Sequence, residues 1–148
     1  MHKARIATIG FFDGVHRGHR FLFAQLKELA HEHDLEPLIL TFNRHPRELL
    51  TGVSPSLLTT SMERQQLLTL HAEVRFLDFS DVQGLTAEQF MLYLQEKENV
   101  EVLLMGYDHR FGSDQLKGFS EYEKVARKVG LRVERAHECL VDGIPVSS

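Results

Sequence analysis

An apolar run, Ile6-Ala7-Thr8-Ile9, is joined to an amphipathic stretch, Arg17 to His33, by the segment Gly10-Phe11-Phe12-Asp13-Gly14-Val15-His16-Arg17-Gly18-His19. The run reads as a buried strand, and Leu22, Leu26 and Leu29 recur behind it at helical spacing. A strand that passes through a glycine-marked turn into a helix commits the chain to βα units. Such a turn presents unpaired backbone N–H groups and the positive end of a helix dipole. It is a place for phosphate.

The same alternation continues to the end. Pro37 to Phe42 is nearly all apolar, as expected of a strand buried on both faces. Thr60-Ser61-Met62-Glu63 resembles a capping box and opens a helix through Leu70, and Val74 to Phe79 is the next strand. Thr86-Ala87-Glu88-Gln89 is a second capping box, followed by the i, i+3, i+4, i+7 stripe Ala87, Phe90, Met91 and Leu94. Val102 to Met105 is a strand closed by Gly106. Ser120 is expected to cap a helix whose core face is Tyr122, Val125, Ala126 and Val129, with Gly130 ending it and Leu131 to Ala136 as the last strand. Strands separated by helices imply an α/β domain, Rossmann-like, with a mainly parallel sheet and helices on both faces. Ligands then bind beyond the carboxyl ends of the strands. The turns Phe11 to His19, Asn43 to Arg47 and Gly106 to Gly112 are expected to meet there, at one edge open to solvent.

The 148 residues suit one domain, and the formal net charge of −4 with interspersed signs argues against a nucleic-acid surface. No apolar run approaches the roughly 18 residues of a membrane span, and the N-terminus lacks a signal-peptide pattern. The single cysteine, Cys139, has no internal partner. A cytoplasmic setting without membrane contact is expected.

The chemistry-bearing residues concentrate in the three turns. His16 stands at the helix mouth and His19 one turn on, and each imidazole offers an N–H donor to a phosphate held at the dipole. A pair of surface or capping histidines is the plainer reading, and the flanking strand and helix weigh against it. Zinc fits poorly despite nine histidines, because helical metal pairs are spaced i, i+4 and only one cysteine is present. His31 and His33 lie at the other end of the helix and suit its C-terminal dipole.

In Asn43-Arg44-His45-Pro46-Arg47, Pro46 holds His45 extended, and the guanidiniums of Arg44 and Arg47 suit a phosphomonoester as well as an ordinary solvated turn. In Gly106-Tyr107-Asp108-His109-Arg110-Phe111-Gly112, Asp108 can accept from a ribose or base, or form an Asx-turn or ion pair with Arg110. The sequence contains no G-x-x-x-x-G-K-[ST], no G-x-G-x-x-G and no G-x-S-x-G.

Taken in order, these segments resemble the nucleotidylyltransferase superfamily with its H-x-G-H turn, and more closely the FMN adenylyltransferase module of bacterial bifunctional riboflavin kinase/FAD synthetases. Gly10 to His19 matches G-x-F-D-G-V-H-x-G-H. Thr41 to Pro46 matches T-F-x-P-H-P with Arg44 in place of a proline, and Leu58-Thr59-Thr60 to Arg64 matches a leucine-threonine segment before a helix. Gly106 to Gly112 matches G-x-D-F-x-F-G with His109 for the first phenylalanine, and Val146-Ser147-Ser148 matches the start of a closing S-S-T-x-I-R.

The resemblance implies a single nucleotidylyltransferase domain over 1–148, C-terminally short of the family pattern and without the riboflavin kinase module that family members usually carry. It implies transfer of AMP from ATP to FMN, giving FAD and pyrophosphate, with Mg2+ accompanying ATP and no metal held by the protein alone. By the same resemblance His16 and His19 are catalytic and contact the ATP phosphates. Gly10, Phe11, Asp13, Gly14 and Gly18 shape the nucleotide turn. Asn43, Arg44, His45, Pro46 and Arg47 form the substrate-phosphate loop. Gly106, Asp108 and Arg110 face the adenosine, and Ser147 and Ser148 approach the phosphates. The alternatives are a cytidylyltransferase or other adenylyltransferase of the superfamily, because H-x-G-H reads the triphosphate rather than the acceptor, and a nucleotide-binding module without turnover.

Overall fold

The computed structural model describes residues 3–12, 17–42, 61–106, 116–137, 140–141 and 144–145. Within them the chain runs β1 (Arg5–Ile9), α1 (Arg17–Glu32), β2 (Glu36–Phe42), α2 (Ser61–Thr69), β3 (Glu73–Leu77), α3 (Phe79–Val82), α4 (Ala87–Glu98), β4 (Val100–Met105), α5 (Phe119–Val129), β5 (Arg132–Arg135), β6 (Leu140–Val141) and β7 (Ile144–Pro145). The first five strands form one sheet in the order β3-β2-β1-β4-β5. Every pairing in it is parallel. This is the expected Rossmann-like α/β architecture.

Alternation along each strand assigns residues to opposite faces. Ile6, Ile39, Val102 and Leu104 pack under α1 and α2 through Leu22, Phe23, Leu26, Ala30 and Leu68. Ala7, Ile9, Leu38, Leu40, Leu103, Met105 and Val133 pack under α3, α4 and α5 through Val82, Ala87, Phe90, Met91, Leu94, Tyr122 and Ala126. Each fully buried aliphatic or aromatic side chain contributes about 1.5–3 kcal/mol, so the two apolar layers fix which face of each strand lies where. The amino ends of the strands are tied electrostatically. Glu98 accepts Arg5 Nη1 at 3.3 Å and Arg75 Nε at 3.4 Å.

The capping box of α4 forms as its sequence implies. Thr86 Oγ1 accepts from the Gln89 N–H at 3.3 Å, and Gln89 Oε1 accepts from the Thr86 N–H at 3.0 Å. Three other expectations are corrected. The third strand stops at Leu77, because Asp78 caps the single turn α3, its Oδ1 accepting from the Ser80 N–H at 3.0 Å. Helix α5 begins one residue earlier than its expected cap, with extended Gly118 at the N-cap and Ser120 inside the first turn. Arg132–Arg135 is not the last strand, since β6 and β7 pair antiparallel as a separate ribbon.

Candidate functional site

The strand order reverses at β1. The chain moves outward through β2 and β3 on one side and through β4 and β5 on the other. The carboxyl ends of β2, β1 and β4 are therefore neighbours, and the crevice beyond a reversal point is where parallel sheets hold ligands. Gly10 and Gly106 follow β1 and β4 directly, and Phe42 ends β2. The Gly10 N–H donates to the Leu40 carbonyl at 3.1 Å, which carries β1–β2 pairing one step past the strand. Across the reversal, buried Thr8 donates through Oγ1 to the Leu104 carbonyl at 2.9 Å. The edge is thus braced on both sides of β1.

Helix α1 starts at Arg17 with no acidic residue in its first turn, so its positive end is not neutralised by its own side chains. Gly18 and His19 belong to that turn. The expectation that the turn faces solvent fails at His19, which is only 3% exposed. Its ring meets Phe12 edge-on, with centroids 5.1 Å apart and planes at 80°. Phe12 in turn meets Phe23 at 5.0 Å and 74°. His19 lies three and four residues before buried Leu22 and Phe23, so it continues the apolar stripe of α1 toward the helix mouth. That spacing was available in the sequence and marks the ring as part of the core at the helix mouth. The imidazole is thus held edge-on by a phenyl ring.

The backbone is unusual at the same place. Phe12 sits at φ 57°, in the left-handed region that bulky residues avoid, and its ring is 5% exposed. A Cβ on Gly10 would stand 2.7 Å from Phe12 Cε1, so the bare glycine is what lets this ring fold back over the strand exit.

A fully buried arginine that the sequence offered only as the end of a motif completes the edge. Arg64 reaches from α2 to place its guanidinium 3.8 Å from the centroid of the Phe11 ring and 5.6 Å from that of Phe76. It donates through Nη2 to the Phe42 carbonyl. Thr41 Oγ1 donates to the Phe11 carbonyl at 3.0 Å.

Asp13, Gly14, His16, Asn43, Arg44, His45, Pro46, Arg47, Asp108, Arg110, Cys139, Ser147 and Ser148 lie outside the described residues, as does the Thr60 capping position. Of the expected site, the structure brings Gly10, Phe11, Gly18, His19 and Gly106 to the carboxyl edge of the sheet. Among the described residues, no group of three or more His, Cys, Asp or Glu side chains is placed to hold a metal ion. No described helix is long and apolar enough to cross a membrane.

His71, after α2, packs its ring 5.1 Å from that of Phe23. Burial, then the charges of Lys27 and Arg20, hold its pKa below the ordinary histidine value. The folded state therefore binds the proton less readily than the unfolded chain, and the associated stability is present above about pH 6.5 and lost as pH falls through the lower folded pKa. Thermal denaturation at pH 7.5 and pH 5.5 checks this. Acidification is expected to lower the midpoint more in the wild type than in His71→Gln, and equal shifts would exclude the linkage.

The model of the family described as FAD synthetase matches residues 1–148. A bifunctional riboflavin kinase/FMN adenylyltransferase from Pseudomonas fluorescens is 34% identical over 154 residues, covering 99% of this chain and 49% of the relative. Its counterpart from Escherichia coli (strain K12) is 30% identical over 154 residues, covering 97% of this chain and 47% of the relative. The chain thus spans about half the length of the curated relatives it matches. A crystal structure described as a macrolide-efflux protein from Streptococcus pneumoniae superposes with a TM-score of 0.82 at 25% identity, covering 100% of this chain and 49% of that one. That likeness is one of fold.

Proposed function

This chain is a member of the FAD synthetase family, and we propose that it transfers the adenylyl group of ATP to FMN, giving FAD and pyrophosphate. The observation that carries the reading is the meeting of Gly10, the mouth of α1 and Gly106 at the reversal point of a parallel sheet, in a chain whose residues 1–148 match that family. In the proposed step an FMN phosphate oxygen attacks the ATP α-phosphorus. A bond forms between them, the bond from the α-phosphorus to the bridging oxygen breaks in line, and pyrophosphate leaves; magnesium entering with ATP would offset the phosphate charge. The FMN phosphate is already an anion and needs no general base. The protein's task is alignment and stabilisation of the charge spread over the transferring group.

In this reading His16 and His19 donate to the ATP phosphates from the mouth of α1, and Gly10, Phe11, Asp13, Gly14 and Gly18 shape the turn around them. The loop Asn43, Arg44, His45, Pro46 and Arg47 borders the phosphates from the end of β2. Gly106, Asp108 and Arg110 face the adenosine from the end of β4, and Ser147 and Ser148 approach the phosphates. The relatives' names join FMN adenylyltransferase to riboflavin kinase.

The test is substrate choice. The protein is incubated with magnesium, ATP and FMN, and in parallel with CTP and small phosphoalcohols. FAD and pyrophosphate from the first mixture alone are expected. CMP transfer in the second, or ATP binding without pyrophosphate release in either, would replace the proposal by a cytidylyltransferase or a non-catalytic nucleotide module.

A further inference from the structure

We propose that Arg64 is a positioning residue for this reaction, locking the exits of β1 and β2 together so that the chain leaves both strands from one fixed point. The proposal rests on the adenylyl-transfer reading for its catalytic consequence and on the packing alone for its structural one.

An arginine with no solvent exposure is a costly residue, and burial is retained only where its donors and charge are used. The contacts of Arg64 close a circuit. Its guanidinium lies on the ring of Phe11, the second residue past β1. Its Nη2 donates to the carbonyl of Phe42, the last residue of β2. The residue before, Thr41, donates through Oγ1 to the Phe11 carbonyl. Three elements distant in sequence are thereby fixed at one point, each by a directional contact rather than by apolar packing.

From that point one chain continues into the histidine turn and the other into Asn43 to Arg47. A shift of an ångström between them would misalign donor and acceptor phosphates, an error that costs on the order of a hundredfold in rate. The guanidinium also places a permanent cation in a dry region just below the strand ends, where its field is poorly screened and favours polyanions. Lysine can keep the charge and one donor there. Methionine can keep the stem and the contact with Phe11 but neither charge nor donor.

The test compares the wild type with Arg64→Met and Arg64→Lys by two readouts. In steady-state FAD formation, kcat of Arg64→Met is expected to fall about a hundredfold, with Arg64→Lys recovering at least about tenfold of it. In limited trypsin digestion without ligands, cleavage after Arg44 and Arg47, measured relative to cleavage after Lys117, is expected to rise about fivefold or more in Arg64→Met and to return toward wild type in Arg64→Lys. A purely structural role would accelerate all sites together and lower kcat only by the unfolded fraction. Wild-type FAD formation with unchanged kcat in Arg64→Met overturns the positioning role while leaving the adenylyl-transfer reading intact. Absence of FAD from the wild type overturns that reading, and the digestion pattern then decides whether Arg64 locks the two exits. Uniform cleavage ratios in all three proteins reject the lock.

Discussion

His19→Ala is expected to lower FAD formation by about two to three powers of ten, the usual cost of removing one transition-state donor. It is also expected to lower stability, because the ring is buried and in edge contact with Phe12. Loss of that aromatic contact costs about 0.5–1.5 kcal/mol beyond the lost buried area. The two effects must be separated, since an unfolding mutant is inactive for a trivial reason. His19→Phe does so. It keeps a ring beside Phe12 and removes both nitrogens, so its melting midpoint is expected to lie nearer the wild type than that of the alanine variant while its turnover falls equally far. A phenylalanine variant that retains rate within about threefold would make His19 a wedge in the core and not a catalytic residue.

Gly10→Ala is expected to lower both stability and rate, although it adds one methyl group. The new Cβ would meet Phe12 Cε1 at 2.7 Å and Cζ at 2.8 Å, distances that force a shift. The far end of a flexible side chain yields cheaply, but this ring is held at 5.1 Å by His19 and at 5.0 Å by Phe23. It also sits on a backbone already in the left-handed region, at φ 57°. Displacement therefore passes into His19 as well as Phe23. Overpacking of this kind costs about 1–3 kcal/mol. Because the displaced group is the proposed phosphate donor, kcat is expected to fall by about tenfold to a hundredfold. Phe12→Leu removes the colliding atoms. In the double mutant Gly10→Ala/Phe12→Leu the stability losses should be markedly non-additive. Strict additivity would show that the methyl group is absorbed elsewhere.

The elements carrying long apolar patterns were legible in the sequence. Helix α1 begins at the expected Arg17, and Thr86 and Gln89 form the reciprocal cap that their spacing implies. Short elements were not legible, for physical reasons. Helix α3 is one turn set by a local contact of Asp78, too brief for any period to show, and Asp78 alone separates it from the strand before it. β6 and β7 hold two residues each, and proline at Pro145 argues against a strand where an edge ribbon tolerates it.

Site residues divide in the same way. The meeting of Gly10 with Gly106 follows from parallel topology alone. The burial of His19 was readable from its register with Leu22 and Phe23, yet the glycine-rich neighbourhood suggested an exposed turn. The burial of Arg64 was not readable, because its sequence neighbours Met62, Glu63, Gln65 and Gln66 are exposed or polar. Its partners come from two strands whose adjacency exists only in the fold.

The central claim concerns the fate of one phosphorus atom, and labelled ATP follows it directly. With ATP carrying a radiolabel at the α-phosphorus, incubation of this protein with magnesium and FMN should move the label into FAD, while a label at the γ-phosphorus should appear in pyrophosphate. Label from the α-position recovered only as ATP or free AMP, with FMN unchanged, would contradict adenylyl transfer by this domain.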